Sequence, residues 1–246
     1  MSLPGISCYC STYGRPTHII ENSIACFLEQ DWPGPKELVI LNDFEEQQLI
    51  FKHPQVRIIN LPERVKPLGK KFNLNVNLCQ YDIIATWEDD DVFLKNRLSF
   101  SFNNMRNGLF HTHSAFHELE NGEIIQIENI FHSTHMMHRR LFNEVGGYNE
   151  VDDTCAIDVE LMDKLKAKHG DYTQTIPAED IFYIYVWAGA QSYHGSGWGP
   201  ANQQISDSAA KIVQQQISRG QVQTGRVELN PKLRYNFYEH LPILKL

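Results

Sequence analysis

No run of apolar residues long enough to cross a membrane occurs in the sequence. The longest, Ile181 to Ala190, falls far short of the roughly 20 residues a spanning helix needs. The N-terminus also lacks the basic start and long apolar stretch of a signal peptide. Cysteines are few and odd in number: five, at 8, 10, 26, 79 and 155, widely scattered, with Cys8, Cys10, Cys26 and Cys79 within or beside apolar segments. That usage argues against a disulfide framework and fits free thiols in a reducing cytosol, so a cytoplasmic location is expected. Basic residues are outnumbered, 22 against 30 acidic for a net charge of -8, which excludes bulk attraction to nucleic-acid phosphates or anionic lipid and leaves room only for a local patch. Also missing are a Gly-rich phosphate loop ending in Lys-Ser/Thr, a G-x-S-x-G nucleophile elbow and the Glu of a zincin helix.

Apolar residues, by contrast, are plentiful: 42% of 246 residues is enough for one large core or two small ones. Over the first hundred residues strand-like and helix-like segments alternate, the pattern of a mostly parallel sheet covered by helices. Ile6 to Ser11 reads as a strand, followed by the loop Thr12-Tyr13-Gly14-Arg15-Pro16 and a helix over Thr17 to Gln30 with Ile20, Ile24, Phe27 and Leu28 on one face. Trp32-Pro33-Gly34-Pro35 ends that helix. Leu38 to Leu41 and Val56 to Leu61 read as strands buried on both faces, Gly69 to Cys79 as a helix, and Ile83 to Trp87 as a strand. Farther on, Ala115 to Glu120 and Glu123 to Ile127 flank Asn121-Gly122, which predicts a β-hairpin. Helices are expected at Arg139 to Val145 and Ile157 to Lys168, a strand at Ile181 to Trp187, a Gly-rich loop at His194 to Pro200, and a Gln-rich helix at Asn202 to Arg219 before a tail with no clear period.

Three polar features end predicted strands: Thr12 to Arg15, Asn42-Asp43 and the acidic run Glu88-Asp89-Asp90-Asp91. Open parallel sheets bind ligands at the carboxyl ends of their strands, so the coincidence points to a site. Four adjacent carboxylates repel and raise one another's pKa unless something neutralises them. Magnesium or manganese would do so, since either is commonly held by one or two carboxylates together with substrate phosphates and water. An isolated acidic run is more often a solvated loop or a helix N-terminus. Its position at the end of an apolar strand favours the metal.

These elements together resemble the family 2 glycosyltransferases over about residues 6 to 200. Ile6 to Pro16 is similar to that family's first strand and its Pro-Thr-Tyr-Asn-Arg loop, and Lys36 to Asp43 to a second strand ending in paired aspartates. Gly69 to Asn73 resembles a Gly-Ala-Lys-Arg-Asn element, and Ile84 to Asp91 a strand ending in Trp-Asp-Asp-Asp-Asp. Met136 to Glu150 resembles the segment ending in Gly-Gly-Phe/Tyr-x-Glu before an Asp-bearing helix. Departures occur at Ser11 for Pro, Gly14 for Asn, Asn42 for Asp, Phe72 for Arg and Glu88 for Asp.

The resemblance implies a GT-A fold: α/β, Rossmann-like, with a mostly parallel central sheet flanked by helices, a small antiparallel element and a C-terminal helix and tail. Residues 1–200 would form the transferase domain, 1–105 binding the nucleotide sugar and 106–200 carrying the acceptor side, with 201–246 beyond it. Thr12 and Tyr13 would line the base, Tyr13 by stacking, and Asp43 would accept a hydrogen bond from it. Lys71 would lie near the nucleotide or diphosphate, with Lys70, Lys71 or Arg15 balancing its charge. Glu88 would face the ribose, with Asp89 beside it on the donor side. Asp90, with Asp91 close by and His194 from the Gly-rich loop, would hold Mn2+ or Mg2+. Asp158 would be the base that takes the acceptor proton in an inverting transfer, with Asp152 or Asp153 as alternatives. The expected donor is a UDP-sugar. The acceptor stays open between a glycan, a lipid-linked intermediate, a small molecule, a protein side chain and modified nucleic acid, because the middle segment and tail carry no transferable motif.

Two rival functions remain. A nucleotidyltransferase of related fold would be expected to carry a Gly-rich, Arg/Lys-bearing signature by the first strand, which is missing. A catalytically silent sugar-nucleotide or glycan-binding module is disfavoured by Asp158 and His194 accompanying the acidic run. His111, His113, His117, His132, His135 and His138 crowd one stretch, but the spacing of the last three alternates faces on a strand, so a partly buried or solvated set is expected there and no zinc site.

Overall fold

The computed structural model describes residues 3–151, 157–186 and 205–242. Four parallel strands lie side by side at its centre: β1 (Ile6–Thr12), β2 (Lys36–Asn42), β4 (Val56–Asn60) and β5 (Ile83–Thr86), with the short β3 (Gln47–Ile50) set apart. Helices α1 (Thr17–Leu28) and α2 (Leu68–Leu78) make the crossovers β1 to β2 and β4 to β5. After β6 (Val92–Phe93) and α3 (Arg97–Asn103), the sheet is extended by β7 (Leu109–Thr112), and the hairpin of β8 (Ser114–Glu118) and β9 (Ile124–Glu128) follows. Next come β10 (Met136–His138), α4 (Arg139–Glu144), α5 (Ile157–His169), β11 (Thr173–Gln174), β12 (Tyr183–Val186), α6 (Ile205–Ser218) and β13 (Gly225–Glu228).

Among the described residues the main sheet runs β11-β7-β10-β5-β1-β2-β4, with β10 antiparallel to both its neighbours. Strand periodicity divides its side chains between two layers. Cys8, Cys10, Leu38, Ile40, Ile83 and Ala85 face Ile20, Ile24 and Phe27 of α1, while Tyr9, Val39 and Ile84 face Phe72 and Val76 of α2 and Leu161 and Leu165 of α5. Strand β2 is buried along its whole length, as a parallel strand covered on both sides must be. By contrast β4, expected to be buried on both faces, is the sheet's edge: among the described residues it pairs with β2 alone, and four of its five residues retain exposure. Cys8, Cys10, Cys26 and Cys79 are free thiols in these layers.

A second sheet, β6-β12-β8-β9, adds Val92, Phe93, Phe116, Tyr183 and Ile184 to the α1 side of the core. Its hairpin lies where expected, with Glu120 joining Asn121 and Gly122 in the loop instead of ending the first strand. Leu119 and Glu123 pair, Gly122 donates to the Leu119 carbonyl, and Gly122 takes φ +80, the left-handed residue that closes a three-residue loop. The tail with no legible period is also structured. Strand β13 pairs in parallel with β3, and Leu229, Leu233, Tyr235, Phe237 and Leu241 enter or pack against the α1-side core. No helix among the described residues is long and apolar enough to cross a membrane.

Candidate functional site

The carboxyl ends of β1, β2 and β5 lie side by side, because the strands are parallel and in register from Ile6, Lys36 and Ile83 onward. Thr12, Asp43 and the run from Glu88 to Asp91 therefore converge at one edge of the sheet, as the sequence implies. Trp87 anchors the start of the acidic run: it is 1% exposed, and its Nε1 donates to Ser23 Oγ at 3.0 Å.

The four acids then diverge. Glu88 turns to His132, whose Nδ1 lies 2.7 Å from Oε1. Arg15 forks across the next two, Nε donating to Asp89 Oδ2 at 2.9 Å and Nη2 to Asp90 Oδ2 at 2.6 Å. Asp91 turns into the core, where its carboxylate accepts from Tyr183 Oη at 2.5 Å, from the Val186 amide at 2.9 Å and from Ser133 Oγ at 3.3 Å. Burial, then the charge of Asp90, pushes the Asp91 carboxyl well above the usual carboxylate range. The repulsion within the run is thus relieved by separate protein partners, one cation and one set of neutral donors among them. Solvent still reaches the side chains of Glu88 (19%) and Asp90 (23%), while that of Asp89 is 4% exposed.

Lys71 is likewise turned inward from α2. Its Nζ donates to Asp43 Oδ1 at 2.6 Å and to the Thr12 carbonyl at 2.7 Å, and Asp43 Oδ2 accepts from the Val65 amide at 2.9 Å. Burial pulls the Lys71 ammonium below its ordinary pKa, with Asp43 acting the other way. Tyr13 is half-buried, edge-on to Phe44 and covered on its ring by the Arg64 guanidinium at 4.1 Å. Helix α6 closes this wall: Ala209 and Val213 pack with Phe44, Val222 and Tyr13, and Gly14, at φ +55, lies so close that a Cβ there would sit 2.5 Å from a Val213 methyl. Gln47 joins the two parts, donating to the carbonyls of Arg15 and Gln223. Two buried polar atoms at the end of β1, Thr12 Oγ1 and Asn75 Oδ1, have no hydrogen-bond partner among the described residues.

Asp158 stands in the first turn of α5, with a buried Oδ1 that has no partner among the described residues. His194, Asp152 and Asp153 lie outside the described residues. Residues not expected at the site are Arg64 and the pair His132 and Tyr148. A local signal existed for His132 only indirectly: Glu in place of Asp at 88 is one methylene longer and reaches a partner that an Asp would not. The crowded histidines do not gather on one ion. His135 bonds the His132 carbonyl and Tyr172, His111 bonds Thr173 and the Phe131 carbonyl, and no group of three or more His, Cys, Asp or Glu is placed to hold a metal among the described residues. An oxygen-seeking ion held by a single carboxylate plus a ligand's phosphates needs no such group, and Asp90, partly exposed beside Arg15, fits that more modest requirement.

The layers, the strand order and the placement of the polar strand ends define a GT-A-like glycosyltransferase fold. Among solved structures, the chain is similar to the mannosyltransferase PcManGT from Pyrobaculum calidifontis, in complex with GDP-Man and Mn2+, with a TM-score of 0.52 at 15% identity, over 88% of this chain and 78% of that one. It is also similar to S. aureus TarS 1-349, with a TM-score of 0.49 at 15% identity, over 76% of this chain and 60% of that one, and so spans less than two thirds of that structure. No protein-family model matches the chain, and no curated protein matches it in sequence.

Proposed function

We propose that this chain is a metal-dependent, inverting glycosyltransferase that moves a sugar from a nucleoside-diphosphate sugar to an acceptor hydroxyl. The observation that carries the reading is the convergence of Thr12, Asp43 and Glu88 to Asp91 at the carboxyl ends of three adjacent parallel strands, with Arg15 and Lys71 between them. The shared fold with a mannosyltransferase in complex with GDP-Man and Mn2+ supports it.

In this reading Thr12 and Tyr13 line the base, with Asp43 held ready by Lys71 and the Val65 amide. A carboxylate so anchored accepts a hydrogen bond from a base N–H without having to be ordered first. Glu88 and Asp89 serve the ribose side. Asp90 is the acid for Mn2+ or Mg2+, with His194 as a further ligand and Asp91 behind it, fixing the backbone through Tyr183 and Val186. When bound, such an ion takes up negative charge on the departing diphosphate. Arg15 neutralises Asp89 and Asp90 until donor arrives, and its guanidinium then lies beside the phosphates. Asp158 accepts the acceptor's proton: its buried oxygen, without a partner among the described residues, supports a carboxylate kept available for an incoming hydroxyl.

The test is release of nucleoside diphosphate from a panel of UDP- and GDP-sugars, with Mn2+ or Mg2+ and with glycan and small-molecule acceptors. Asp90→Ala is expected to abolish metal stimulation. Asp158→Asn is expected to lower kcat by roughly 10²- to 10⁴-fold with the donor KM unchanged. Turnover unaffected by Asp90→Ala would sink the metal assignment, and retained transfer in Asp158→Asn would remove that residue as base. Donor binding without turnover on any acceptor would favour a silent binding module.

A further inference from the structure

Behind the acidic run lies a hydrogen-bonded chain that the roles above do not use. It begins at Glu88 Oε1, 2.7 Å from His132 Nδ1, continues from His132 Nε2 to the Tyr148 hydroxyl, and ends at the Tyr9 hydroxyl, 2.7 Å from that of Tyr148. A carboxylate only accepts, so Nδ1 must carry a proton toward Glu88. With the ring neutral, Nε2 then accepts from Tyr148, and Tyr148 accepts from Tyr9. Every member is satisfied in one direction, which makes such a buried network rigid. Glu88 Oε2 has no partner among the described residues and is the atom left for something outside the chain.

The ring is held from other sides too. Phe72 packs against His132 at 5.3 Å between centroids and against Tyr148 at 5.0 Å. The His132 carbonyl accepts from Thr86 Oγ1 at 2.8 Å, and the fully buried Arg97 joins the Thr86 and Ser133 carbonyls at 2.7 and 2.6 Å. The turn bearing His132 is thereby bolted to the end of β5, the strand that delivers Glu88. Two departures from the family pattern meet in this arrangement: Glu88 is long enough to reach the imidazole, and Phe72 covers it.

We propose that His132, locked by Tyr148 and Tyr9, is a positioning residue that presents the Glu88 carboxylate to a ribose hydroxyl of the donor. This rests on the donor-site reading above. It predicts a preference for the sugar hydroxyl itself, because a fixed acceptor left unpaired discriminates strongly against an analogue lacking its donor.

The experiment is titration calorimetry of the full chain with Mn2+ and UDP or GDP, and with their 2′- and 3′-deoxy analogues. The wild type is expected to favour a ribonucleotide over one deoxy analogue by roughly tenfold or more. In His132→Phe the ribonucleotide should bind roughly 10- to 100-fold more weakly and the preference should collapse, while His132→Asn, which keeps a donor near the Nδ1 position, restores most of both. Glu88→Asp, whose carboxylate is drawn back from the ring, should behave like His132→Phe, and the two changes together should cost no more than either alone. Unchanged hydroxyl discrimination in His132→Phe, or losses that multiply in the double variant, overturns the proposal. Should His132→Phe fail to fold, Glu88→Asp decides alone: wild-type discrimination in that variant overturns it. A wild type that binds no nucleoside diphosphate overturns the donor-site reading itself, and this proposal with it.

Discussion

His111 offers a measurement whose size follows mainly from burial. Its ring is 0% exposed, stacked on His135 at 4.3 Å between centroids, with Nδ1 bonded to Thr173 Oγ1 and Nε2 to the Phe131 carbonyl. Burial, helped by the neighbouring His113, pulls its pKa from 6.5 down to about 3, so the folded protein keeps it neutral at pH values where the unfolded chain protonates it. The unfolded state then binds the extra proton, and stability falls as pH drops through the unfolded value. Between pH 7 and 5.5 this amounts to about 1.2 kcal/mol for one histidine of unfolded pKa near 6.5, and is insensitive to the folded value as long as that stays well below 5.5. Asp91 acts in the opposite sense, because its raised carboxyl takes up a proton in the folded state as pH falls. The two are separated by a difference of differences: urea unfolding of wild type and His111→Gln at both pH values. Glutamine can still donate to the Phe131 carbonyl. The variant is expected to lose about 1.2 kcal/mol less than wild type on acidification, with the Asp91 contribution cancelling. Equal losses would refute the reasoning and mean that His111 takes a proton in the folded state.

Arg15→Ala should destabilise by roughly 3–5 kcal/mol in urea unfolding, since it takes the guanidinium away from the buried Asp89 carboxylate, and Asp89→Asn in the same chain should recover part of that. Gly14→Ala meets both a left-handed backbone and the Val213 methyls and should cost about 1–3 kcal/mol, of which Val213→Ala relieves only the steric share; full rescue would place no strain at φ +55. Asp91→Ala takes the acceptor from the Val186 amide and leaves Tyr183 Oη its longer bond to Ser133 Oγ at 3.2 Å, and should lower stability by about 2–4 kcal/mol, whereas Asp90→Asn should leave stability nearly unchanged and affect metal-stimulated turnover. The reverse pattern would exchange the roles given to these two acids.

Much of this architecture is legible before any coordinates. Apolar runs such as Leu38 to Leu41 and Ile83 to Ala85 end abruptly at or near polar residues, and a buried parallel strand has little freedom to be anything else. The convergence of Thr12, Asp43 and Glu88 to Asp91 follows from strand order and register. The directions of the side chains do not. Glu88, Asp89 and Asp91 belong to one unbroken acidic run yet bond His132, Arg15 and Tyr183, partners 44, 74 and 92 positions away. No local pattern encodes such pairings. Strands β13 and β10 were illegible for a related reason: Gly225–Glu228 and Met136–His138 are too short to show a period and owe their extended form to the strands beside them. At β4 the apolar run was real, but whether a strand lies inside a sheet or at its edge depends on where the chain goes next.

The pairing of β13 with β3 also sets an order of events. Gly225 to Glu228 must find Gln47 to Ile50 across most of the chain, and a parallel partner so distant in sequence is among the slowest contacts to form. During synthesis, β1 and the loop bearing Tyr13, Gly14 and Arg15 emerge early, but Val213, Val222 and Gln223, which close over that loop, arrive only when most of the chain has been made. Until then Phe44 and Tyr13 face solvent on the nascent protein. The wall formed by Tyr13, Phe44 and α6 is therefore completed late, and a chain truncated before residue 205 would leave Tyr13 and Phe44 without Ala209, Val213 and Val222.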